Sequence, residues 1–409
     1  MIRKLTAALA ALSVLALAAA PAPAAAQNVD TLYACYIPNT GNVYRIRTPD
    51  TPASCHGNHV EFSWLDNELN AGDGFLLRLK SGSPLTDRFT VDTAGGVVAR
   101  GQLGIGFEPA SGPGYRMVWY PFKSGFRAGA AVGNSWDDAN FGFFSWAGGQ
   151  GTIASGFVSF AFGDGTRATG VGAAAFGSNT NVGGTVGFSA GANNSCGGFA
   201  CTALGYTVRA DGQGSVALGY RSTANANYAV SIGQRATAAG HSGAFTFADA
   251  STTDSIQATA NNQVSFRGAG GFRFRTSPDL STGCDLAAGS GVFTCSSSRY
   301  LKENFATVDG EDVLGRMRAV PVTTWNYIAE GDEARHLGPF AQDFRAAFGL
   351  GTDDTSIGLL DIDGVNFAAA KALEARTARL RAEVDALRAD RDDLARRLAE
   401  LEVLVKAKQ

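Results

Sequence analysis

The stretch SVALGYRSTANANYAVSIG, residues 215–233, contains the same short pattern twice, an apolar segment that ends in glycine. Leu218-Gly219 recurs as Ile232-Gly233, 14 residues later. The same period places glycines in one column: Gly149, Gly163, Gly177, Gly191, Gly205, Gly219 and Gly233. A second glycine column runs seven residues out of phase: Gly142, Gly156, Gly170, Gly184, Gly198 and Gly212. Registered columns at one fixed period indicate a repeat protein.

Small side chains keep the same period. One column contains Ala147, Ala161, Ala175, Ser189, Ala203, Ala217 and Ser231. Another contains Ala154, Ala168, Val182, Cys196, Ala210, Ala224 and Ala238. Two glycine turns per period predict two short strands per coil, stacked into a parallel β-roll solenoid whose tightly wound interior takes the small columns.

A third column holds large apolar side chains: Phe162, Phe176, Leu204, Leu218 and Ile232. Because side chains alternate along a strand, this column lies on the face opposite the small columns. A thin coil cannot bury both faces, so we expect the large column to meet a partner surface.

These repeats resemble the head repeats of trimeric autotransporter adhesins over about residues 142–248. The resemblance implies parallel β-rolls that associate as a homotrimer.

The C-terminal segment, residues 371–409, has a heptad pattern. Val384, Leu398 and Val405 lie in offset columns, while Thr377 and Arg391 interrupt the seam. The seam itself consists of Leu373, Leu380, Leu387, Leu394 and Leu401. Such heptads predict a parallel coiled coil of three chains or two; a single amphipathic helix packed on a globular core is the alternative.

The composition excludes two broad classes. The 409 residues are 45% hydrophobic and only 17% charged, which argues against a disordered protein. The formal net charge of −3 gives no basic excess, so nucleic acid is not expected as a partner.

The first 26 residues predict a secretory signal peptide. Arg3 and Lys4 precede the apolar run 5–20, and Ala24-Ala25-Ala26 supplies the small residues of a cleavage site. No later run of 18 apolar residues occurs, so no membrane-spanning helix is expected in the mature chain. The predicted location is outside the cytoplasm, either secreted or on the cell surface.

Six cysteines fall in three local pairs, and an exported chain favours disulfides between them. For the pair inside the repeats, a disulfide and two packed thiols both remain open. His56 and His59 beside Cys55 form the one metal-like cluster, and neither a metal nor a cofactor is predicted. The pairs are Cys35 with Cys55, Cys196 with Cys201, and Cys284 with Cys295.

Outside the repeats the chain is also rich in strand patterns. LYACYIPNTGNVYRI, residues 32–46, predicts a hairpin that turns at Asn39-Thr40-Gly41-Asn42 and resembles a short two-cysteine module of exported bacterial proteins. FTVDTAGGVVARG, residues 89–101, resembles connector segments of phage tail fibres. The predicted organisation is a signal peptide (1–26), a two-cysteine β module (27–66), a β-rich connector (67–141), the β-roll (142–248), a second β connector (249–296), an α+β chaperone domain (297–370) and the coiled coil (371–409).

Three segments after the roll share one resemblance: SSSRYLKENF (296–305), HLGPFAQDF (336–344) and LLDIDGVNFAAAKALEA (359–375). They resemble the intramolecular chaperone, auto-processing peptidase domain of phage tailspikes and fibres, over about residues 296–385. In that family a serine and a lysine five residues downstream form a cleavage dyad. The resemblance assigns these roles to Ser297 and Lys302, with Ser298 in place of the family's usual aspartate. It also matches Arg299, Leu301, Asn304, Gln342 and Asp343 to the family pattern.

The chemistry needs a neutral lysine, because only a neutral amine can take the serine proton. Burial or a nearby positive charge such as Arg299 would lower the lysine pKa. Ser297 would then attack the carbonyl of Ser296, once per chain, with no turnover of an external substrate. The alternative is a chaperone domain that assembles the trimer without cleaving.

The favoured function is an exported, trimeric, adhesin-like fibre with a self-cleaving assembly domain, whose surface ligand the sequence does not name. A glycan-acting tailspike-like enzyme is the rival, but Asp164 and Asp211 are the only acids from Phe143 to Ala248, and they lie several coils apart. A third interpretation, a ligand-binding module at residues 28–66, is disfavoured by its small size.

Overall fold

The computed structural model describes residues 31–65, 75–81 and 86–408, so the predicted signal peptide lies outside the described residues. The chain divides into two compact units. The first extends to Phe274 and includes Asp285–Thr294. The second consists of Arg275–Cys284 and the chain from Cys295 onward.

The N-terminal part of the first unit is a six-stranded antiparallel sheet with the order β2-β1-β3-β4-β5-β6. The predicted hairpin joins β1 to β2, and the disulfide Cys35–Cys55 is formed. β3 pairs with β4, so this sheet includes strands from both sides of the predicted boundary at residue 66. The strands are β1 (Thr31–Tyr36), β2 (Val43–Ile46), β3 (Val60–Leu65), β4 (Phe75–Ser81), β5 (Thr86–Asp92) and β6 (Val97–Ala99).

The solenoid begins at an antiparallel hairpin of β7 (Gly114–Tyr120) and β8 (Gly125–Ala131), and β8 then pairs in parallel with the first coil. Long and short strands alternate from there: β9 (Trp146–Gln150), β10 (Ile153–Ala154), β11 (Phe160–Asp164), β12 (Arg167–Ala168), β13 (Ala174–Ser178), β14 (Asn181–Val182), β15 (Phe188–Ala192), β16 (Ser195–Cys196), β17 (Thr202–Tyr206), β18 (Arg209–Ala210), β19 (Val216–Tyr220), β20 (Thr223–Ala224), β21 (Val230–Gln234), β22 (Ala236–Thr237), β23 (Phe245–Ala248), β24 (Ile256–Gln257) and β25 (Val264–Arg267).

Equivalent strands of successive coils stack in register, as the 14-residue period predicts. The long strands belong to an 11-stranded sheet and the short strands to an 8-stranded sheet. Gly163 pairs with Gly177, and Gly177 pairs with Gly191. Every residue of the two small-side-chain columns is fully buried, which confirms the predicted interior. The last coils are longer than 14 residues: Val230 pairs with Phe245, 15 residues later.

The large column lies on the outer face of the 11-stranded sheet, as predicted. Phe162 pairs with Phe176, and Leu204, Leu218 and Ile232 follow one another in register. All five side chains are only half-buried. Trp146 in β9 and Phe188 in β15 are 48% and 41% exposed. This outer apolar face therefore stays open to solvent in a single chain.

Residues 271–295 form a three-stranded sheet of β26 (Gly271–Arg275), β27 (Gly283–Ala287) and β28 (Phe293–Cys295). The second unit then continues through α1 (Gly310–Ala319), β29 (Thr323–Trp325), β30 (His336–Gly338), α2 (Ala341–Phe348) and α3 (Leu359–Ala407). Its core consists of Val313, Phe344, Val365 and Ala369, which join the three helices. The 49-residue helix α3 thus has its first turns in this core.

Candidate self-cleavage site

Ser297 and Lys302 are in direct contact. Lys302 Nζ donates a hydrogen bond to Ser297 Oγ over 2.7 Å. The 3-10 turn Arg299–Leu301 separates the two residues. Ser298 holds the start of this turn, since its Oγ accepts a hydrogen bond from the Tyr300 amide. This single turn folds the chain back so that residues five apart meet.

The pair lies at the surface of the chain. Ser297, Lys302 and every residue between them are exposed. Of the supporting residues predicted from the resemblance, Arg299 places its guanidinium 5.9 Å from the centre of the Phe305 ring. Asn304 adopts a left-handed backbone conformation with φ +58°. Gln342 lies in α2, where it lines a cavity together with Trp325, Tyr327 and Ile357.

The residue before Ser297 is fixed by its backbone and its side chain. The Ser296 amide donates to the Gly283 oxygen over 2.8 Å, and the Gly283 amide donates to Ser296 Oγ over 3.1 Å. Cys284 and Cys295 form a disulfide directly beside this pair of hydrogen bonds. Sequence reasoning placed the disulfide here but missed Gly283, because a backbone partner across a hairpin carries no side-chain signature.

The pair for which the sequence left two alternatives open, Cys196 and Cys201, forms a disulfide in the solenoid interior. The histidines near Cys55 have other partners: His59 Nδ1 lies 2.9 Å from Tyr44 Oη, and the His56 amide donates to the same oxygen. Within the described ranges, no group of three or more His, Cys, Asp or Glu side chains is arranged to hold a metal ion. No helix in that part of the chain is long and apolar enough to cross a membrane.

The heptad leucines of α3 are exposed in the single chain. Leu373 and Leu380 are each 50% exposed, and Leu387 is 61% exposed. The first turns of the same helix pack against α1, where Arg376 forms an ion pair with Glu311. The hydrogen bond from Arg376 lowers the pKa of the Glu311 carboxyl. The apolar seam of α3 thus begins at Leu373, within the part of the helix that still contacts α1.

Two family models match the chain. Residues 297–349 match the model described as the chaperone of endosialidase. Residues 210–240 match two copies of the YadA head domain repeat. No curated protein matches the chain. The two matches confirm both resemblances drawn from the sequence.

The chaperone match begins at Ser297 and includes Lys302 and Gln342. The YadA head match covers two coils, and the registered pairing of β9 to β23 extends the same coil geometry well beyond them. Together the matches support an adhesin-like fibre protein with a chaperone domain. Head repeats of this kind and three disulfides suggest an extracellular or surface protein.

Proposed function

We propose that the chain is an exported fibre protein that assembles as a trimer under the direction of its chaperone domain and then cleaves itself between Ser296 and Ser297. The observation that carries this proposal is the 2.7 Å hydrogen bond between Lys302 Nζ and Ser297 Oγ. It places a potential base on the hydroxyl next to the peptide bond to be cut.

The reaction is an acyl shift followed by hydrolysis. Neutral Lys302 takes the hydroxyl proton, and Ser297 Oγ forms a bond to the carbonyl carbon of Ser296. The bond from that carbon to the Ser297 nitrogen breaks, and Lys302 returns the proton to this nitrogen. Water then hydrolyses the ester, which leaves one fragment ending at Ser296 and another beginning at Ser297.

We expect assembly to bury the Ser297–Lys302 pair, which the single chain leaves exposed. A lysine acts as a base only when neutral, and burial favours the neutral form. Ser297 and Lys302 are exposed in the single chain. We therefore expect neighbouring copies to cover the pair, so that cleavage follows assembly.

Two apolar surfaces favour self-association. The outer face of the 11-stranded sheet exposes a column of large side chains that Ala190 interrupts once, and α3 exposes its heptad leucines. Apolar surfaces of this extent are typical of protein interfaces. The YadA head match supports three copies packed through the solenoid, with α3 as the coiled coil that aligns them.

The need for an assembly domain follows from the repeats. Stacked coils that are nearly identical can pair one coil out of register, and long-range parallel pairing is slow to form. A coiled coil raises the local concentration of the three chains and fixes their alignment. Cleavage after assembly removes the template and leaves the fibre kinetically trapped.

The test compares intact masses and native sizes of the purified wild type, Ser297→Ala, Lys302→Arg and the control Ser290→Ala. Arginine keeps the positive charge but does not deprotonate, so Lys302→Arg separates base chemistry from charge. We expect wild type and control to yield a fragment beginning at Ser297, and the two site variants to stay whole as trimers. A wild type that stays full length after assembly would identify a permanent trimerisation domain instead.

A further inference from the structure

The hairpin of β27 and β28 ends at the proposed cleavage site. Ser296 is the first residue after β28, and it pairs with Gly283, the first residue of β27, through the two hydrogen bonds described above. One of them uses the Ser296 backbone and the other its Oγ, so both the main chain and the side chain of this residue are held.

The disulfide is the strongest constraint on this hairpin end. Cys284 follows Gly283 and Cys295 precedes Ser296, so the covalent link lies directly beside the hydrogen-bonded pair. Arg275 Nη1 also donates to the Cys284 oxygen over 3.2 Å. The position of Ser296 is thus tied to one S–S bond and a few hydrogen bonds.

The non-covalent contacts of β28 include its pairing with β27, the hydrogen bond from Thr294 Oγ1 to the Asp285 oxygen and the contact of the Phe293 ring with Phe274. β28 has three residues, all exposed, and Phe293 is 56% exposed. A short, exposed edge strand of this kind adds little stability by itself, so the disulfide is the main covalent constraint on the end of β28. The disulfide joins two cysteines that are 11 residues apart in sequence. It therefore removes much of the chain entropy that would favour separation of β28 from β27.

We propose that Gly283 and the Cys284–Cys295 disulfide are positioning elements for self-cleavage, so that the oxidised chain cuts itself and the reduced chain does so slowly. This inference rests on the proposed self-cleavage. The attack of Ser297 requires the Ser296 carbonyl at a fixed place, and a small displacement of reacting groups lowers rates strongly. Disulfides form outside the reducing cytosol, so the chaperone domain stays attached until the chain is exported.

The redox step is an ordinary thiol–disulfide exchange. The two thiols give two electrons and two protons to an oxidised disulfide such as glutathione disulfide, which becomes two thiols, and the Cys284–Cys295 bond forms. Dithiothreitol reverses it and ends as its own cyclic disulfide. The Ser297 and Lys302 atoms take no part in this exchange.

The experiment refolds the full chain from denaturant with either glutathione disulfide or dithiothreitol and follows the fragment that begins at Ser297 over time. The test variant carries Cys284→Ser and Cys295→Ser. The matched control carries Cys196→Ala and Cys201→Ala, which removes a disulfide of the solenoid interior. Native mass is measured in parallel, because a merely structural role would change assembly together with cleavage.

We expect cleavage to slow by about ten- to a hundredfold in the reduced wild type and in the Cys284→Ser, Cys295→Ser variant under either condition, with the number of copies per assembly unchanged. The control should cleave like the wild type and keep its sensitivity to dithiothreitol. Equal rates in oxidised wild type, reduced wild type and the test variant would overturn the inference while leaving self-cleavage intact. If the oxidised wild type does not cleave, the proposed function itself is wrong.

A milder variant tests the same idea with the disulfide in place. Ser296→Ala removes the acceptor of the Gly283 amide and should slow cleavage several-fold. Ser290→Ala is its control, since Ser290 Oγ accepts a hydrogen bond from Val292 at the far end of the same hairpin. A Ser296→Ala rate equal to that of Ser290→Ala would show that the hydrogen bond between the Gly283 amide and Ser296 Oγ has no positioning role.

Discussion

The guanidinium of Arg127 donates a hydrogen bond to the main-chain oxygen of Ala154 over 2.9 Å, across the open end of the solenoid. Arg127 pairs with Ala147 and so occupies the first place in the column that small residues fill in every later coil. It is fully buried, donates to the oxygen and Oγ of Ser145, and lies 3.7 Å from the centre of the Phe141 ring. A charged side chain thus closes the interior where the stacking begins.

Replacing this arginine should destabilise the solenoid. Arg127→Met keeps a long side chain but removes the guanidinium hydrogen bonds to Ser145 and Ala154, whose carbonyl oxygens then keep only their main-chain donors. This loss should cost about 1.5–3 kcal/mol of unfolding free energy. Chemical denaturation followed by circular dichroism measures the loss. The control is Arg209→Met, because Arg209 forms an exposed ion pair with Asp211. Such surface pairs contribute at most about 1 kcal/mol. Similar losses in both variants would contradict the capping role.

The glycine column sets a steric limit on the stacking. Gly177 has φ +109°, and a Cβ built there would overlap the main-chain oxygen of Gly191 in the next coil. Gly177→Ala should therefore lower the unfolding temperature clearly or prevent folding, at a cost of at least about 3 kcal/mol from strain and overlap together. Gly315→Ala, in the exposed interior of α1 with open space around it, should instead raise stability by about 0.5–1 kcal/mol. Equal effects at the two sites would show that the close approach of the coils is relaxed in solution.

The parts of the fold that repeat could be predicted from the sequence because each column is sampled many times. Seven small residues at 14-residue intervals from Ala147 to Ser231 identify an interior column even if one position is ambiguous. Local contacts were also predictable: Ser297 and Lys302 meet across one turn, and each disulfide joins cysteines close in sequence.

Single, non-local contacts were not predictable. An arginine in the interior column occurs only at Arg127, which precedes the repeats of the sequence pattern. Its burial depends on hydrogen bonds to carbonyl groups up to 27 residues away. The joining of the predicted module and connector in one sheet depends on the pairing of β3 with β4, which short strand patterns do not specify. The exposure of Ser297 and Lys302 likewise follows from the three-dimensional arrangement and has no signature in the motif.

The start of the solenoid should respond to alkaline pH through Tyr120. This side chain is 4% exposed and donates to Asp138 Oδ1 over 3.0 Å. Burial, together with the hydrogen bond to Asp138 and the charge of its carboxylate, raises the pKa of Tyr120 from 10 to about 12. The folded chain therefore holds this proton more tightly than the unfolded chain does, and the associated stability is present below pH 10 and lost as the pH rises toward 12.

Tyr120→Phe should remove that part of the pH dependence. It should cost about 1 kcal/mol at neutral pH for the lost hydrogen bond and show a smaller further loss between pH 10 and 12 than the wild type. Urea midpoints at several pH values measure both effects. Tyr115→Phe, in the same strand but at a residue that is 93% exposed, should follow the wild type throughout. Parallel pH curves for all three proteins would exclude Tyr120 as the responsible group.

The leucine seam of α3 provides the sharpest test of the trimer. The experiment uses the Ser297→Ala background, in which the proposed cleavage cannot detach the helix from the fibre. Leu387→Glu places a charge in the middle of the seam, and the loss of one buried leucine alone costs about 2–5 kcal/mol per chain. We expect the assembled chain to dissociate at micromolar concentration, as measured by sedimentation equilibrium.

Ala386→Glu adds the same charge on a different face of the helix and should leave the trimer intact, since neighbouring residues point about 100° apart. If Leu387→Glu and Ala386→Glu keep the same mass, α3 is an exposed single helix, and assembly depends on the solenoid face alone.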